Sequence, residues 1–374
     1  MHCRALSASA VACLFAVLLT GCATAPSCTG TSCNTAPPTT TPPPTASYPG
    51  AVPQPTPATV KPANGIYLTD IQSLSNSLLL SMPLDTNGVG SLTTVESSTT
   101  FSLTTIVPSG DGNFYAIEYG TPYGSYQYPY LDVLKFGFTA AGVFTPLQRI
   151  SQPSFPSLSS GTLAADAAGN VAVAGSNAVY IYAATANGTV TPTRSITGIP
   201  GTILQLAFDP SGNLYVRDSL GTSGQVLVYS PTANGAATPI HTLTPKLVGG
   251  LETIALDSIG DLFVVDTSDN PTPSGADVFT TSIYEYAPGA DGNASPISTI
   301  TPINHCLGFF LALDTTGALY LEANDDSGNG QYLKFAPGAS GAATPISIAQ
   351  TPATPPTTPN SPGTLDYNFL VVGP

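Results

Sequence analysis

Five segments of the chain repeat one pattern. They are Pro108-Ser-Gly-Asp-Gly-Asn-Phe-Tyr-Ala-Ile-Glu118, Asp166-Ala-Ala-Gly-Asn-Val-Ala-Val-Ala-Gly175, Asp209-Pro-Ser-Gly-Asn-Leu-Tyr-Val-Arg-Asp218, Asp257-Ser-Ile-Gly-Asp-Leu-Phe-Val-Val-Asp266 and Asp314-Thr-Thr-Gly-Ala-Leu-Tyr-Leu-Glu322. Each is a turn followed by an apolar strand, and most end on a carboxylate. The turn glycines, Gly112, Gly169, Gly212, Gly260 and Gly317, stand 57, 43, 48 and 57 residues apart. A unit recurring at that length cannot bury its apolar faces alone and must stack on copies of itself. The Asp accepts backbone N–H bonds and the Gly supplies a positive φ, so each segment reads as a tight hairpin turn.

The rest of each unit repeats too. A third strand follows a variable loop, as in Gln225-Val-Leu-Val-Tyr229, and then a polar turn such as Ala233-Asn-Gly235. A fourth strand opens on proline, as in Pro239-Ile-His-Thr-Leu243. Proline there suits an edge strand and blocks edge pairing. Four-stranded units of this spacing predict propeller blades at about 101–150, 161–198, 202–245, 250–302 and 308–352. Two pieces remain. Gly65-Ile-Tyr-Leu-Thr-Asp70, Ser77–Met82 and Leu92–Val95 supply second, third and fourth strands, and Gly363–Val372 supplies a first strand. Joined, they predict a sixth blade. The expected fold is all-β, a six-bladed β-propeller of four-stranded blades closed by N- and C-terminal strands, over residues 64–374.

Residues 1–21 precede that domain as a signal segment. Arg4 is followed by the apolar run Ala10–Leu19, too short for a membrane span of about 20 residues. Leu19-Thr20-Gly21-Cys22 resembles the bacterial lipobox. That resemblance implies cleavage before Cys22, lipid on its sulfur and a cell-envelope address, and Ala23 implies outer-membrane sorting in a Gram-negative cell. Residues 22–63 read as a Pro/Thr-rich tether, since runs such as Ala36–Thr45 lack ladder donors and favour polyproline II. Cys28 and Cys33 lie in this tether, close enough in sequence for a small disulfide, and Cys306 reads as a small buried hydrophobe.

The formal charge is −14, with only eight Lys and Arg. Removing residues 1–21 deletes Arg4 and no acid, leaving −15. So few bases argue against nucleic acid, whose affinity comes from neutralising phosphates. The chain has no Gly-x-Ser-x-Gly elbow, no His-Glu-x-x-His and no phosphate loop. His305, where a first strand begins, is the one histidine placed to act as base or ligand, while His241 reads as a surface residue. Asp70, Glu118, Asp218, Asp266 and Glu322 are expected to end second strands, and such oxygens converging at a channel mouth would suit Ca²⁺. Asp218, Asp266 and Glu322 are the candidate metal ligands.

The blade pattern resembles NHL-type propellers and the related lactonase-like and streptogramin-lyase-like propellers. The lactonase resemblance implies a channel metal held by acids and Asn. The lyase resemblance implies a histidine with an acid, for which His305 with Glu252 or Glu322 is the available pairing. The NHL resemblance implies a binding platform without catalysis, its contacts on loops. The loop 119–130, with Tyr123, Tyr126, Tyr128 and Tyr130, is the candidate surface for a protein or carbohydrate, because Tyr has an apolar body and a polar tip. The reading ranks non-catalytic binding first and a metal-dependent lactonase-like or lyase-like enzyme second.

Overall fold

In the computed structural model the described residues are 59–60, 65–73, 76–83, 88–89, 93–98, 101–120, 130–139, 144–151, 162–221, 224–269, 278–325, 329–350 and 367–372. Their strands form four-stranded antiparallel blades in which strand order follows chain order. Blade I is Phe101–Pro108, Phe114–Gly120, Tyr130–Thr139 and Phe144–Ile150. Blade II is Leu163–Ala165, Val171–Ala174, Ala178–Tyr182 and Arg194–Thr197. Blade III is Ile203–Phe208, Leu214–Asp218, Gln225–Tyr229 and His241–Leu243. Blade IV is Leu251–Leu256, Leu262–Asp269, Phe279–Tyr286 and Ser298–Asn304, and blade V is Leu307–Leu313, Leu319–Asn324, Gly330–Phe335 and Ser347–Gln350.

The expected count of six such blades is corrected to five. The remaining sheet is a composite of both ends, ordered Tyr367–Val372, Gly65–Ser73, Asn76–Pro83, Thr93–Ser98. It has no Asp-x-x-Gly turn, because its first two strands come from opposite ends of the domain. Its innermost strand touches the innermost strands of blades V and I, and the innermost strands of blades I to V touch one another in order. The composite sheet is therefore built through pairing of the two ends of the domain, whereas blades I to V are built from local hairpins.

The repeated turn is built as its residues dictate. Asp209 accepts from the backbone N–H of Asn213 at 2.8 Å and from its side chain at 2.7 Å. Asp166, Asp257 and Asp314 likewise accept backbone N–H groups across their own turns. Gly212 stands at φ +80, a conformation that L side chains rarely adopt. Second strands are buried on both faces: Val171, Ala172, Val173 and Ala174 are all fully buried. Their side chains alternate between neighbours. Leu214 and Val216 pack toward blade II, while Tyr215 packs with Leu251, Ile254, Leu262 and Val264 of blade IV. Each such Val or Leu contributes about 1.5–3 kcal/mol. Between blade I and the composite sheet the same role falls to Tyr67, Phe114, Phe136 and Phe138.

Adjacent blades are also latched at their outer strands. The polar turn between third and fourth strands reaches back to the fourth strand of the preceding blade. Gly235 donates to Ser195 O at 2.6 Å and accepts from Thr197 N at 2.8 Å, while Asn234 Oδ1 accepts from Ser195 N at 3.0 Å. Asn187-Gly188 holds Arg149 in the same way, and Asp291-Gly292 holds Thr242. Gly88 pairs with Ala349 of blade V, which gives the composite sheet the same latch.

Candidate functional site

Antiparallel order puts the Asp-x-x-Gly and Asx-Gly turns on one face of the ring. The loops after second strands and the connections into first strands lie on the other, the loop face. The expected site belongs to the loop face. The innermost strands of blades I, III, IV and V carry a register shift near it, at Thr104/Ile106, Ile203/Gln205, Leu251/Thr253 and Gly308/Phe310. Such a bulge re-aims the extra side chain. The residues inserted are Thr105, Leu204, Glu252 and Phe309, so Glu252 is the ionisable one.

Glu252 stands where blades III and IV meet. Arg217 of blade III donates through Nε to Leu251 O at 2.8 Å. Gln205 accepts from Ile254 N at 2.8 Å and Thr253 Oγ1 at 3.0 Å, and donates through Nε2 to Ile254 O at 2.8 Å. Burial lowers Arg217 to about 10, opposed by the charge of Glu252. Burial also raises Glu252, opposed by Arg217 and reinforced by Asp266. Arg217, Gln205 and Arg149 were not singled out from the sequence. The signal that could have found the arginines is scarcity, since a chain with eight Lys and Arg spends few of them casually.

The second-strand carboxylates are occupied within their own blades. Asp266 accepts from Val248 N at 2.8 Å and from Gly249 N and Gly250 N, both at 2.9 Å. Asp218 accepts from Leu220 N at 3.0 Å and Gln225 Nε2 at 3.2 Å. Glu118 takes a bidentate pairing from Arg149, whose Nε also lies 3.6 Å from Asp132. All three carboxylates are buried. Cys306 is buried too, in the apolar cluster between blades IV and V, which is where a small hydrophobe belongs.

Glu322 departs from the expected set. Counted from the turn glycine, Glu118, Asp218 and Asp266 stand at the sixth residue and Glu322 at the fifth. One residue reverses the face in a strand. Glu322 therefore takes the position of Arg217, and Ala323 that of Asp218. Leu321 and Ala323 pack toward blade IV, so Glu322 faces the composite sheet. It is 7% exposed, and among the described residues its Oε2 has no hydrogen-bond partner. Burial pushes its carboxyl up to about 8, with the Tyr332 hydroxyl as the opposing influence.

Asp218, Asp266 and Glu322 thus belong to three blades and do not face one space. Among the described residues no three His, Cys, Asp or Glu side chains gather as a metal site. Among the described residues these three carboxylates do not converge on one cation. Of the two acids expected to pair with His305, Glu252 answers to Arg217 and Asp266, and Glu322 to Tyr332. His305 itself is exposed, at φ +57 just after the fourth strand of blade IV. Tyr123, Tyr126, Tyr128 and Cys22 lie outside the described residues, as do the side chains of Tyr130 and Asp70.

No protein-family model matches the chain, and no curated protein does. Solved structures do resemble it. A Bacteroides caccae protein of unknown function is 10% identical, with a TM-score of 0.44, over 77% of this chain and 94% of that one. A glucose dehydrogenase is 14% identical, with a TM-score of 0.43, over 78% and 100%. The WD40 propeller domain of Doa1 is 11% identical, with a TM-score of 0.36, over 62% and 64%. At these values no activity carries over, and the fold rests on the chain's own strand pairing: an all-β propeller of four-stranded antiparallel blades.

Proposed function

We propose that this protein is an envelope lipoprotein, anchored through Cys22, whose propeller head is a non-catalytic binding platform for a protein or carbohydrate. The observation that carries the platform reading is the commitment of three loop-face acids to structural partners. Asp218, Asp266 and Glu118 hold backbone amides, an amide side chain and Arg149. Groups committed in that way stiffen loops and are not poised for chemistry. Recognition then falls to the variable loops, which a rigid scaffold presents, with Tyr123, Tyr126, Tyr128 and Tyr130 as the contacts. The anchor rests on Leu19-Thr20-Gly21-Cys22.

One observation favours the second reading, a lactonase-like or lyase-like enzyme. Glu322 is a buried carboxyl that stays protonated near neutral pH, the state a general acid needs. Against it, Glu322 faces a neighbouring sheet. Two measurements test the proposal. Mass spectrometry of the mature N-terminus should find a lipidated Cys22, and an unmodified residue there overturns the anchor. Replacing Tyr123, Tyr126 and Tyr128 with Ser should abolish ligand capture from envelope extracts with the melting temperature unchanged. Retained capture, or lactone hydrolysis lost on Glu322→Gln, overturns the platform.

A further inference from the structure

The turn face holds a groove that the proposed platform does not use. It lies between blades IV and V, open to solvent, with a volume of about 270 Å³. Phe263, Leu313 and Leu319 give it an apolar floor. Ile259 stands at its rim, 73% exposed. The equivalent turn position holds Ala168, Ser211 and Thr316 in blades II, III and V, so the turn itself has no need of an isoleucine. The wall is blade-specific as well. Glu285 lies opposite Phe263 across the sheet, where the other blades carry Lys135, Ile181, Val228 and Lys334.

The charge of the groove has one sign. Asp257 and Glu285 line it, and among the described residues no Lys, Arg or His does. Asp257 directs Oδ1 at the backbone N–H groups of its own turn. We propose that this groove binds a small organic cation with an apolar body. Its hydrocarbon part would lie on Phe263, Leu313 and Leu319 beneath Ile259, and its ammonium group would meet Glu285 beside Asp257. The volume sets the size: it falls below the roughly 300–1,000 Å³ of sites for drug-sized ligands. Burial raises the Glu285 carboxyl, as do Asp261 and Asp257, against a hydrogen bond from Ser298. A bound cation relieves that repulsion, whereas an anion adds to it.

The test uses three probes of one length, hexylammonium, hexanol and hexanoate, titrated into the whole protein by calorimetry. Hexylammonium should bind about tenfold more tightly than hexanol, equivalent to about 1.4 kcal/mol, and hexanoate should not bind. Glu285→Gln should bring hexylammonium down to the level of hexanol. Ile259→Ser, at an exposed site, should weaken both. Equal affinity for the three probes overturns the proposal, as does no binding at millimolar concentration. A preference for hexylammonium that survives Glu285→Gln overturns it too.

Discussion

Near the loop-face ends of their second strands, blades III and V carry opposite charges at one position. In blade III Arg217 looks toward blade IV, and in blade V Glu322 holds that position and looks toward the composite sheet. Arg217 is half-buried and Glu322 buried, and loss of water acts on both by the same rule: the charged form loses its hydration. Arg217 falls to about 10 and Glu322 rises to about 8. The outcomes differ at neutral pH. Arg217 stays charged and uses the charge, gripping Leu251 O with Glu252 nearby. Glu322 stays neutral. Position in the blade decides how much water is lost, and the partners across the interface decide whether a charge survives there.

The heaviest blow to this comparison would be to remove the sheet that Glu322 faces. Deleting 363–374 takes away the strand that pairs with Gly65–Ser73 and bares both neighbours. The protein should become insoluble or rapidly proteolysed; a truncated chain that melts like the parent would mean that the composite sheet does not join the ring. Next in size is Asp266→Ala, which strips three backbone amides of their acceptor. The expected loss is about 3–5 kcal/mol in denaturant unfolding, and a loss under 1 kcal/mol would show those amides to be served by water.

Glu322→Gln should act in the other direction. The folded-state pKa lies above the ordinary 4.5, so folding retains a proton that the unfolded chain releases. Stability attached to this group is full below about pH 4.5 and declines until about pH 8, then levels. Glu322→Gln should therefore raise stability at pH 7 by on the order of 3 kcal/mol, at about 1.4 kcal/mol per unit, and change nothing at pH 4. A gain of equal size at both pH values would assign the effect to packing. Smallest is Asn234→Ala, which removes one hydrogen bond of an outer latch at a cost of about 1 kcal/mol. A loss of several kcal/mol would mean that the latches, rather than the apolar faces, hold blades together.

Much of this architecture was legible in the chain. Asp209, Gly212 and their counterparts act within a few residues of themselves, so local chemistry settles the turns. The apolar runs from Leu214 and Leu262 are short and made of Leu, Val and aromatic residues, and they became second strands. The pairing of the two end pieces was also readable, since each lacked what the other had. The error over Glu322 was one of counting. A segment one residue shorter looks the same in a list of carboxylates and faces the opposite way in a sheet.

The sequence alone therefore determined the repeating unit, its turns and its strands, because those depend on contacts between near neighbours. Only the tertiary structure decided which carboxylates are spent on backbone amides, which face Glu322 takes, and that Asx-Gly turns serve as latches between blades. Those properties belong to pairs of residues far apart in the chain, such as Arg217 with Leu251 and Asn234 with Ser195. Desolvation and hydrogen-bond geometry act across the interface, and neither exists until the blades have met.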